Sequence, residues 1–446
     1  MRGARRMTGD MSAELRAAAR TCFDAALAAV EPGRLVASAL RRRADVLALE
    51  TPDAGATHRG PVLLIAAGKA ALAMASGAAA AHARAGLVVV PHAGVAAGPP
   101  GVAVLGAAHP VPDAAGAAAT ARVLADAARA GAETLVLVLL SGGASALLVA
   151  PAGDLTLEDK QAVNAVLLAS GADIAALNTV RKHCSRVKGG GLARAASHAA
   201  GLWTLLLSDV VGDDPAVIAS GPTVADPTTF ADAQAVVERW LDPAAVPPRV
   251  RAHLEAGRQG GAGETVKPGD PALARGVVRV LAGNRTAVAA AVEAARRLGY
   301  EPPVVAEPLR GDAAAAGARI VERLAAAPRD RPVAVVAGGE TTVRVVPGGR
   351  GGRSQQLALA AAVALAGCPG AVLAAGTDGV DGPTDAAGAC VDGTTLARAH
   401  ARGLHALAAL AATDSHPLLD AVGDLLRTGP TGTNVADLVV ALRPAC

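Results

Sequence analysis

Two groups of charged residues flank a short apolar run between residues 181 and 223. The run at 202–207 predicts a buried strand. Before it come basic residues followed by three glycines, and we predict that they lie in a loop; they are Arg181, Lys182, His183, Arg186 and Lys188. After it comes an acidic turn with Asp209, Asp213 and Asp214. Since ligands of open α/β sheets bind at the carboxyl ends of strands, this arrangement suits a site for an anion and a metal ion.

A glycine-bearing turn at 141–145 is a second candidate for anion binding. It reads Ser141, Gly142, Gly143, Ala144, Ser145, and it lies between a predicted strand at 134–140 and a predicted helix. Glycines let the backbone approach a phosphate, and free N–H groups at the start of a helix favour negative charge. A single glycine pair is more often an ordinary strand–helix turn. Beside the other loops, however, we predict phosphate binding.

Single cations follow other predicted strands. Lys69 ends the strand at 61–65 in the turn AAGK, which is neither a Walker A loop nor a G-x-G-x-x-G turn. A lysine there suits a phosphate and could neutralise a transferring phosphoryl group. Arg353 follows a run of glycines at the start of a helix and could stabilise transition-state charge. The alternative for both residues is an ordinary solvated surface charge.

Two further strand ends supply an amide and a second carboxylate. Asn284 opens a helix after the strand at 277–282, and we assign it to nucleotide or phosphate binding. Asp378 follows the strand at 371–375. Because Mg²⁺ takes one or two carboxylates together with substrate phosphate oxygens, we predict Asp209 and Asp378 as metal ligands. Turn formation by Asp-Gly is the alternative, and we prefer it for the neighbouring Asp381 and Asp385.

The elements that position these residues are predicted to alternate between strands and helices. Residues 12–48 predict helices with a break at Pro32-Gly33. Residues 157–178 predict a helix with a break near Gly171. The later strands are apolar throughout, which is typical of a parallel sheet covered on both faces. A segment at 243–276, rich in Pro, Gly and Arg, is the predicted boundary between a domain at 1–242 and a domain at 277–446.

The composition excludes several classes of protein. A hydrophobic content of 52% in 446 residues excludes a disordered chain, and a net charge of +3 with 1% aromatics argues against a nucleic-acid interface. Five cysteines without a C-x-x-C pair indicate a reducing compartment. The apolar runs are too short to cross a bilayer, so we expect a cytoplasmic protein that acts on a small molecule.

Taken in order, the loops form a series that resembles one enzyme family. The series is AAGKA, LLSGGASALL, NTVRKHCSRVKGGGLA, LLLSDVVGDDPAVIASGPT, AGGETTV, GGRSQQLALA, GTDGVDGPTDAAGA and TGPTGTNVADL. It closely resembles the glycerate 2-kinases, a two-domain family whose C-terminal part carries the MOFRL name. The resemblance implies a Rossmann-like N-terminal domain with a parallel sheet and a smaller α/β C-terminal domain. It also implies an active-site cleft between the two.

The resemblance implies transfer of phosphate from ATP to the 2-hydroxyl of D-glycerate, with Mg²⁺, giving 2-phosphoglycerate. It matches Lys69 and Arg353 to the catalytic cations and residues 141–145 to a phosphate-binding segment. In this reading Asp209 or Asp378 holds the metal ion. Arg181 or Lys188 binds the glycerate carboxylate, and Asp209 is also a catalytic candidate. A homodimer is one oligomeric state that we expect for the protein.

Two departures from the family pattern leave the substrate open. The glycine turn has Ala144 where a third glycine is usual, and Ser354 and Gln356 replace an asparagine and a glutamate. A kinase for a related hydroxy acid is therefore one alternative. A hydroxypyruvate reductase is another, although the G-x-G-x-x-G turn of a dehydrogenase is missing from the sequence. A non-catalytic nucleotide-binding module would need neither the cations nor the carboxylates found in both halves.

Overall fold

The computed structural model describes residues 9–52, 54–83, 85–300 and 304–445. The helices are α1 (Gly9–Ala29), α2 (Pro32–Ala39), α3 (Ala71–Gly77), α4 (Ala114–Ala128), α5 (Ala144–Leu147), α6 (Leu157–Ala169), α7 (Ile174–His183), α8 (Gly191–Ala195), α9 (Phe230–Trp240), α10 (Pro248–Arg258), α11 (Asn284–Arg297), α12 (Ala313–Ala326), α13 (Arg353–Leu365), α14 (Thr395–His400), α15 (Ala406–Ala411) and α16 (Ser415–Ala421). The strands are β1 (Leu40–Arg43), β2 (Val46–Thr51), β3 (Ala54–Arg59), β4 (Val62–Ala67), β5 (Ala85–Pro91), β6 (Val102–Ala107), β7 (Leu135–Leu140), β8 (Gly201–Leu207), β9 (Gly276–Ala282), β10 (Val304–Val305), β11 (Val333–Gly339), β12 (Ala371–Gly376), β13 (Gly388–Asp392), β14 (Leu425–Leu426) and β15 (Asp437–Arg443).

The chain divides into two compact units that do not follow its order. The parallel-sheet unit comprises Pro32–Leu281. The mixed-sheet unit combines the described residues of Met1–Glu31 with Ala282–Cys446, so that α1 belongs with the C-terminal half. The segment at 243–276, predicted as a domain boundary, contains α10 and lies within the parallel-sheet unit.

A six-stranded sheet forms the parallel-sheet unit, with the order β6-β5-β4-β7-β8-β9. Strands β5, β4, β7 and β8 each run parallel to the neighbours whose register is defined. Every residue of β4 and of β7 is buried, because helices cover both faces of the sheet and leave no solvated side. The predicted parallel sheet is confirmed.

Residues 40–59 correct the prediction of helices up to residue 48. Helix α2 ends at Ala39, and β1, β2 and β3 then form a three-stranded antiparallel sheet. Ala44 has a φ of 55° in the tight turn between β1 and β2. In β2, Leu47 and Leu49 alternate with more exposed neighbours, a period of two that fits a strand with one covered face. The three consecutive arginines before the turn made this alternation difficult to detect in the sequence.

Helices α6 and α7 confirm the predicted break near Gly171. Thr156 accepts a hydrogen bond from the Asp159 backbone, and the Asp159 side chain accepts one from Thr156, which caps α6 reciprocally. Asp173 caps the start of α7 by a single hydrogen bond that its side chain accepts from the backbone N–H of Ala176. Helix α7 then continues to His183 and includes the first part of the basic segment.

The mixed-sheet unit is built around β15. The sheet order is β10-β11-β15-β12-β13-β14, and β15 pairs antiparallel with both β11 and β12. Every residue of β11, β12 and β15 is buried, because helices pack against this sheet as well. The α/β character was predicted from the sequence, whereas the antiparallel pairing of this sheet was not. No helix among the described residues is both long enough and apolar enough to span a membrane.

Candidate functional site

Lys69 and the glycine loop (residues 141–145) lie against each other in the parallel-sheet unit. The backbone N–H of Lys69 donates to Gly142 O at 2.8 Å, and the N–H of Ala70 donates to Ser141 Oγ at 3.0 Å. Gly68 has a φ of 128°, and a methyl group placed on it would overlap Ser141. The turn after β4 is therefore interlocked with the turn after β7. The structure brings these two predicted groups together.

The Lys69 side chain runs past the middle of the glycine loop. Gly143 has a φ of 86°, a region that favours glycine. A methyl group on it would lie 3.4 Å from Lys69 Cγ and 3.2 Å from the ring of His109. Helix α5, which follows the loop, is only four residues long. The predicted contribution from a helix start is therefore small, and cationic and hydroxyl side chains give the loop its polarity.

A chain of polar side chains leads inward from the glycine loop. Lys188 Nζ lies 2.6 Å from Ser145 O and 3.0 Å from Ser145 Oγ. Ser145 Oγ lies 2.8 Å from Ser220 Oγ, which is 3.0 Å from Asn178 Oδ1. Lys188 is only 4% exposed, whereas Ser145 is half-buried. The predicted substrate ligand Lys188 thus points into the protein, and its amine is occupied by protein groups.

The backbone beside this chain is strained. Ala219 and Ser220 both have positive φ, 52° and 61°, and Gly221 follows with 62°. Non-glycine residues in this region cost energy and are found mostly where function requires their placement. The strained turn positions the Ser220 hydroxyl between Ser145 and Asn178.

The basic segment is not the loop that the sequence predicted. Arg181, Lys182 and His183 form the last turn of α7, where cations are favourable because the helix carbonyls point towards them. Arg181 Nε donates to Asn164 Oδ1 at 3.2 Å, and burial lowers the pKa of the Arg181 guanidinium. Lys182 pairs with the buried Asp226 at 3.3 Å. Much of the segment therefore bonds within the protein.

Asp209 lies at the same edge of the sheet as the glycine loop. It follows β8 after Ser208, and β8 runs parallel to β7 with Leu206 opposite Leu140. The carboxyl ends of the two strands consequently meet at one edge. Asp209 is half-buried, whereas Asp214 accepts a hydrogen bond from the backbone of Ala216 and shapes the turn.

Arg353 is held by two carboxylates of the mixed-sheet unit. Its Nε and Nη2 donate to the two oxygens of Asp437 at 2.6 Å and 3.0 Å, and its Nη1 donates to Glu340. Burial raises the pKa of Asp437 to about 6, although Arg353 acts in the opposite direction. Burial lowers the pKa of Arg353, but Asp437 outweighs it and the net pKa is raised. The guanidinium is therefore permanently charged and fixed in orientation.

The start of α13 is capped by a distant aspartate. Asp381 accepts hydrogen bonds from the backbone N–H groups of Ser354 at 3.0 Å and Gln355 at 2.8 Å. Asp381 therefore has a structural role, although it caps a helix and does not form the Asp-Gly turn that we preferred for it. The two residues of α13 that depart from the family pattern are also buried: Ser354 is 2% exposed, and Gln356 is 5% exposed and donates to Leu410 O at 2.8 Å.

Asn284 and Asp378 also lie in the mixed-sheet unit. Asn284 Nδ2 donates to Val435 O at 2.8 Å and to Asp437 O at 3.0 Å, so both amide hydrogens are used within the protein. Asp378 Oδ1 accepts from Val380 N at 3.1 Å. A methyl group on Gly376 would lie 3.2 Å from Asp378 Oδ1 and 3.5 Å from Asp437 Oδ1, so the two carboxylates are neighbours. Within the described residues, no group of three or more His, Cys, Asp or Glu side chains is arranged to hold a metal ion.

A cavity of about 1310 Å³ lies on another part of the parallel-sheet unit. Residues of α4, α8 and α10 line it, and Arg186, Arg194 and Arg249 contribute positive charge. Lys69 and the glycine loop do not line it, although Lys188 does. We place the candidate site at the sheet edge rather than in this cavity, because the interlocked cation and glycine loop are at that edge.

Sequence reasoning missed the partners of the predicted residues. Ser220 and Asn178 occur in two of the quoted motifs, IASGPT and NTVRKH, but neither received a role. Asp437 and Glu340 were likewise inside quoted motifs. Each of these residues is distant in sequence from its partner, so no local spacing indicated the contact. Their presence in glycine-rich strand-end motifs was the available signal.

Comparison with known proteins identifies the family of this chain. The model described as "Domain of unknown function (DUF4147)" matches residues 18–255, and the MOFRL family model matches residues 333–437. A Pyrococcus horikoshii protein named "Glycerate 2-kinase" is 38% identical over 94% of this chain and 94% of its own. The chain belongs to the glycerate 2-kinase family.

Matches to other relatives extend over nearly the whole chain. The crystal structure of a Thermotoga maritima glycerate kinase matches with a TM-score of 0.82 and 36% identity, over 97% of this chain and 100% of that one. An Agrobacterium vitis protein named "Putative hydroxypyruvate reductase" is 43% identical over 97% of this chain and 95% of its own. The predicted family, and its α/β fold with a MOFRL C-terminal domain, are confirmed.

Proposed function

We propose that this member of the glycerate 2-kinase family transfers the γ-phosphoryl group of ATP to the 2-hydroxyl of D-glycerate, giving 2-phosphoglycerate. The contact between Lys69 and the glycine loop carries the proposal, since it places a cation beside backbone that can approach a phosphate. Phosphoryl transfer requires mainly positioning and stabilisation of charge, and little covalent chemistry from the protein.

Lys69, Ser141, Gly142, Gly143 and Ser145 are the proposed phosphate-binding group. The turn after β4 is tied to the glycine loop by two hydrogen bonds, so the lysine and the loop form one rigid unit. A preorganised cation stabilises the developing charge without reorganising during the reaction. In this proposal Lys69 neutralises charge on the transferring group.

Arg353 is proposed as a second cation of the reaction. Its two bonds to Asp437 fix the plane of the guanidinium, and its charge is independent of pH over the working range. That Arg353 and Lys69 act on the same phosphoryl group stays a prediction from the sequence. Asn284, whose amide hydrogens bond to backbone carbonyls, also keeps its nucleotide role only as a prediction.

The donor chemistry of Asp209 and Asp378 fits a magnesium ion. Both are half-buried carboxylates that follow strands. Magnesium is held by one or two carboxylates with the remaining positions taken by water and phosphate oxygens, so a full set of protein ligands is not required. When bound, the ion would neutralise charge on the phosphates. We propose Asp209 as a magnesium ligand near the glycine loop. Asp378 keeps its role as a metal ligand only as a prediction from the sequence.

Arg181 is the proposed ligand of the glycerate carboxylate. An arginine can bind a carboxylate in bidentate fashion, and only its Nε is engaged with Asn164 in the described contacts of α7. Lys188 is less suited to this role because its amine is 4% exposed and bonded to Ser145.

A hydroxypyruvate reductase is the second candidate, favoured by the name of the Agrobacterium vitis relative. The turn after β4 reads Ala67-Gly68-Lys69, with a single glycine and a lysine where a dinucleotide-binding turn has several glycines. A lysine in a turn with a single glycine favours binding of a triphosphate, rather than of a dinucleotide, at this edge of the sheet. Loss of NADH absorbance with hydroxypyruvate, but no ADP release with D-glycerate, would support the reductase instead.

The test is turnover of D-glycerate with ATP and Mg²⁺, with the product identified by phosphorus NMR. We expect 2-phosphoglycerate, and we expect Lys69→Ala and Arg353→Ala each to lower kcat/KM about 10²- to 10³-fold. The control is Arg297→Ala, which removes a 69% exposed cation on α11 and should leave turnover unchanged. Wild-type turnover in a folded Lys69→Ala variant would remove that residue from the mechanism, and chelation of Mg²⁺ should abolish activity.

A further inference from the structure

The amine of Lys188 is a buried titratable group that the proposed phosphate contacts do not use. Three acceptor-capable atoms surround it: Ser145 O at 2.6 Å, Ser145 Oγ at 3.0 Å and Leu148 O at 3.4 Å. Among the described residues, Lys188 has no ion pair. Two of these neighbours are carbonyl oxygens, which can only accept hydrogen bonds, whereas the Ser145 hydroxyl can also donate one.

The charges that act on Lys188 are cations. Lys160 of α6 and Arg181 of α7 act on it electrostatically, and the only polar side-chain groups of the 145–148 and 220–221 segments are the hydroxyls of Ser145 and Ser220. The Cys184 thiol lies beside Lys160, and burial raises the pKa of that thiol to about 11. Burial, followed by the two like charges, lowers the pKa of Lys188 well below its ordinary value. A neutral amine avoids burying an uncompensated charge.

Two arrangements of protons run unbroken from Lys188 through Ser145 and Ser220 to Asn178. In the first arrangement Lys188 is charged and donates to Ser145, Ser145 donates to Ser220, and Ser220 donates to Asn178 Oδ1. The buried Nδ2 of Asn178 then has no hydrogen-bond partner. With a neutral Lys188 and the Asn178 amide rotated by half a turn, Nδ2 donates to Ser220 and Ser220 donates to Ser145. Ser145 then donates to the lone pair of the amine.

In the second arrangement both N–H bonds and the lone pair of the neutral amine have a hydrogen-bond partner. Its two N–H bonds meet Ser145 O and Leu148 O, and its lone pair meets the Ser145 hydroxyl. It also gives Asn178 Nδ2 a partner and leaves the amide oxygen, an acceptor, in the unbonded position. An unbonded buried acceptor is better tolerated than an unbonded buried donor.

We propose that Ser145 and Lys188 form a proton relay that removes the proton of the substrate hydroxyl during phosphoryl transfer. In this proposal the half-buried Ser145, the last residue of the phosphate-binding group, contacts the hydroxyl where it meets the γ-phosphoryl group, and the buried Lys188 acts through Ser145. The inference rests on the kinase reaction proposed above and assigns its proton acceptor. Asn178 and Ser220 orient the Ser145 oxygen towards the amine.

The step balances in protons and electron pairs. The substrate oxygen forms a bond to the γ-phosphorus, and the bond from that phosphorus to the bridging oxygen of ATP breaks, so ADP keeps the electron pair. The hydroxyl proton passes to Ser145 Oγ as the proton of Ser145 passes to Lys188 Nζ. After the product leaves, the ammonium returns its proton through Ser145 to solvent, and the neutral amine is restored.

The first test is the pH profile of kcat/KM for the wild-type protein and Lys188→Met. We expect wild-type activity to fall as pH falls through the pKa of the amine, because protonation removes the acceptor. Lys188→Met should lose about 10²- to 10⁴-fold at the plateau, the usual contribution of general-base catalysis, and this acidic limb should disappear. A folded Lys188→Met variant that keeps the limb and the rate overturns the relay.

The matched control is Lys160→Met. Lys160 is also a buried lysine with a pKa lowered to about 8, and it donates to Cys184 O without contact to the glycine loop. Its removal takes away a positive neighbour of Lys188, so the acidic limb should move to higher pH while the plateau rate is kept. A purely structural role of Lys188 predicts no such movement, and an unmoved limb contradicts the relay.

Two measurements keep the inference testable if Lys188→Met does not fold. Ser145→Ala removes only the hydroxyl and should abolish the same acidic limb. The chain has five lysines, so ¹³Cε-lysine NMR of the whole protein can be assigned with Lys188→Arg. The Lys188 resonance should titrate at a lower pH than an ordinary lysine does, because the pKa of the amine is lowered by burial, and titration in the ordinary lysine range would refute the relay. Wild-type protein that does not phosphorylate D-glycerate refutes the kinase proposal, whereas the NMR result still reports the amine.

Discussion

Single side chains at the candidate site are controlled by partners that lie far away in sequence. Arg353 is bound by Asp437, 84 residues later, and Lys188 by Ser145, 43 residues earlier. In both cases the partner fixes the direction in which the basic side chain points. At the residue scale, therefore, the pairs rather than the individual basic residues determine what the site can do.

Asp437→Asn should lower kcat while leaving the fold in place. The amide keeps the shape of the side chain but removes the charge that holds Arg353 in two hydrogen bonds. Misplacement of a catalytic cation by about 1 Å can cost about 100-fold in rate, so we expect a fall in kcat of about 10- to 100-fold. Loss of hydrogen bonds to a charged group should cost about 2 kcal/mol of unfolding free energy, measured in urea.

Glu340→Gln is the control for this pair. Glu340 also bonds to Arg353, but its side chain is 52% exposed, so its removal should change stability by less than about 1 kcal/mol and kcat by less than Asp437→Asn does. Equal losses of kcat in the two variants would contradict the assignment of Asp437 as the group that orients Arg353.

At the element scale, the site depends on the interlocking of two strand–helix turns. The turn after β4 and the turn after β7 exchange hydrogen bonds, and Gly68 permits their close approach. Parallel pairing of β4 with β7 brings the two turns to the same edge of the sheet. Neither turn would have a defined position without the other.

Gly68→Ala should disturb both turns at once. The new methyl group would overlap the Ser141 backbone, and alanine is disfavoured at a φ of 128°. We expect a loss of more than about 2 kcal/mol in unfolding free energy, together with a rise in the KM for ATP. Gly131→Ala is the matched control, because nothing lies within 4 Å of its added methyl group and no positive φ is required. Equal stability of the two variants would show that the turns are not interlocked.

At the scale of the whole molecule, the first helix of the chain completes the C-terminal unit. Arg16 of α1 pairs with Asp392 at 2.9 Å and with Asp424 at 2.8 Å, and residues 16 and 392 are 376 positions apart. Both carboxylates are almost fully buried. Burial raises the pKa of Asp392, but hydrogen bonds from Ser12, Thr394 and Arg16 outweigh it and lower that pKa to about 2.

Arg16→Met should destabilise the protein by about 3 kcal/mol, because two buried carboxylates lose a charged partner. Arg20→Met on the same helix breaks an exposed pair with Asp24 and should cost less than about 0.5 kcal/mol. Chemical denaturation of the two variants measures the difference. Equal midpoints would contradict a role of α1 in holding this unit together.

The acid sensitivity of the same variant gives an independent check. An aspartate with a folded pKa of about 2 stabilises the protein above its unfolded pKa of about 4, and this contribution is lost as pH falls towards 2. Without Arg16 the folded pKa of Asp392 should rise. Stability should then decline at a higher pH than in the wild-type protein, which denaturation between pH 7 and pH 3 would show.

Much of the local architecture was determined by the sequence itself. The runs that became β4 and β7 are apolar throughout, so burial on both faces followed from their composition. The break between α6 and α7 followed from Gly171 and from nearby capping residues. The ordered strand-end motifs were sufficient to predict the family, because each motif is short and continuous in the chain.

Only the tertiary structure decided which residues meet. It turned Lys188 inward onto Ser145, placed Arg181 in α7 and moved α1 into the unit of β15. These outcomes depend on pairing charges and burying surface between segments that are far apart in sequence. Local periodicity does not indicate which distant segments will meet. The three arginines at 41–43 are the clearest case, because β1 is defined by its pairing with β2 rather than by its own residues.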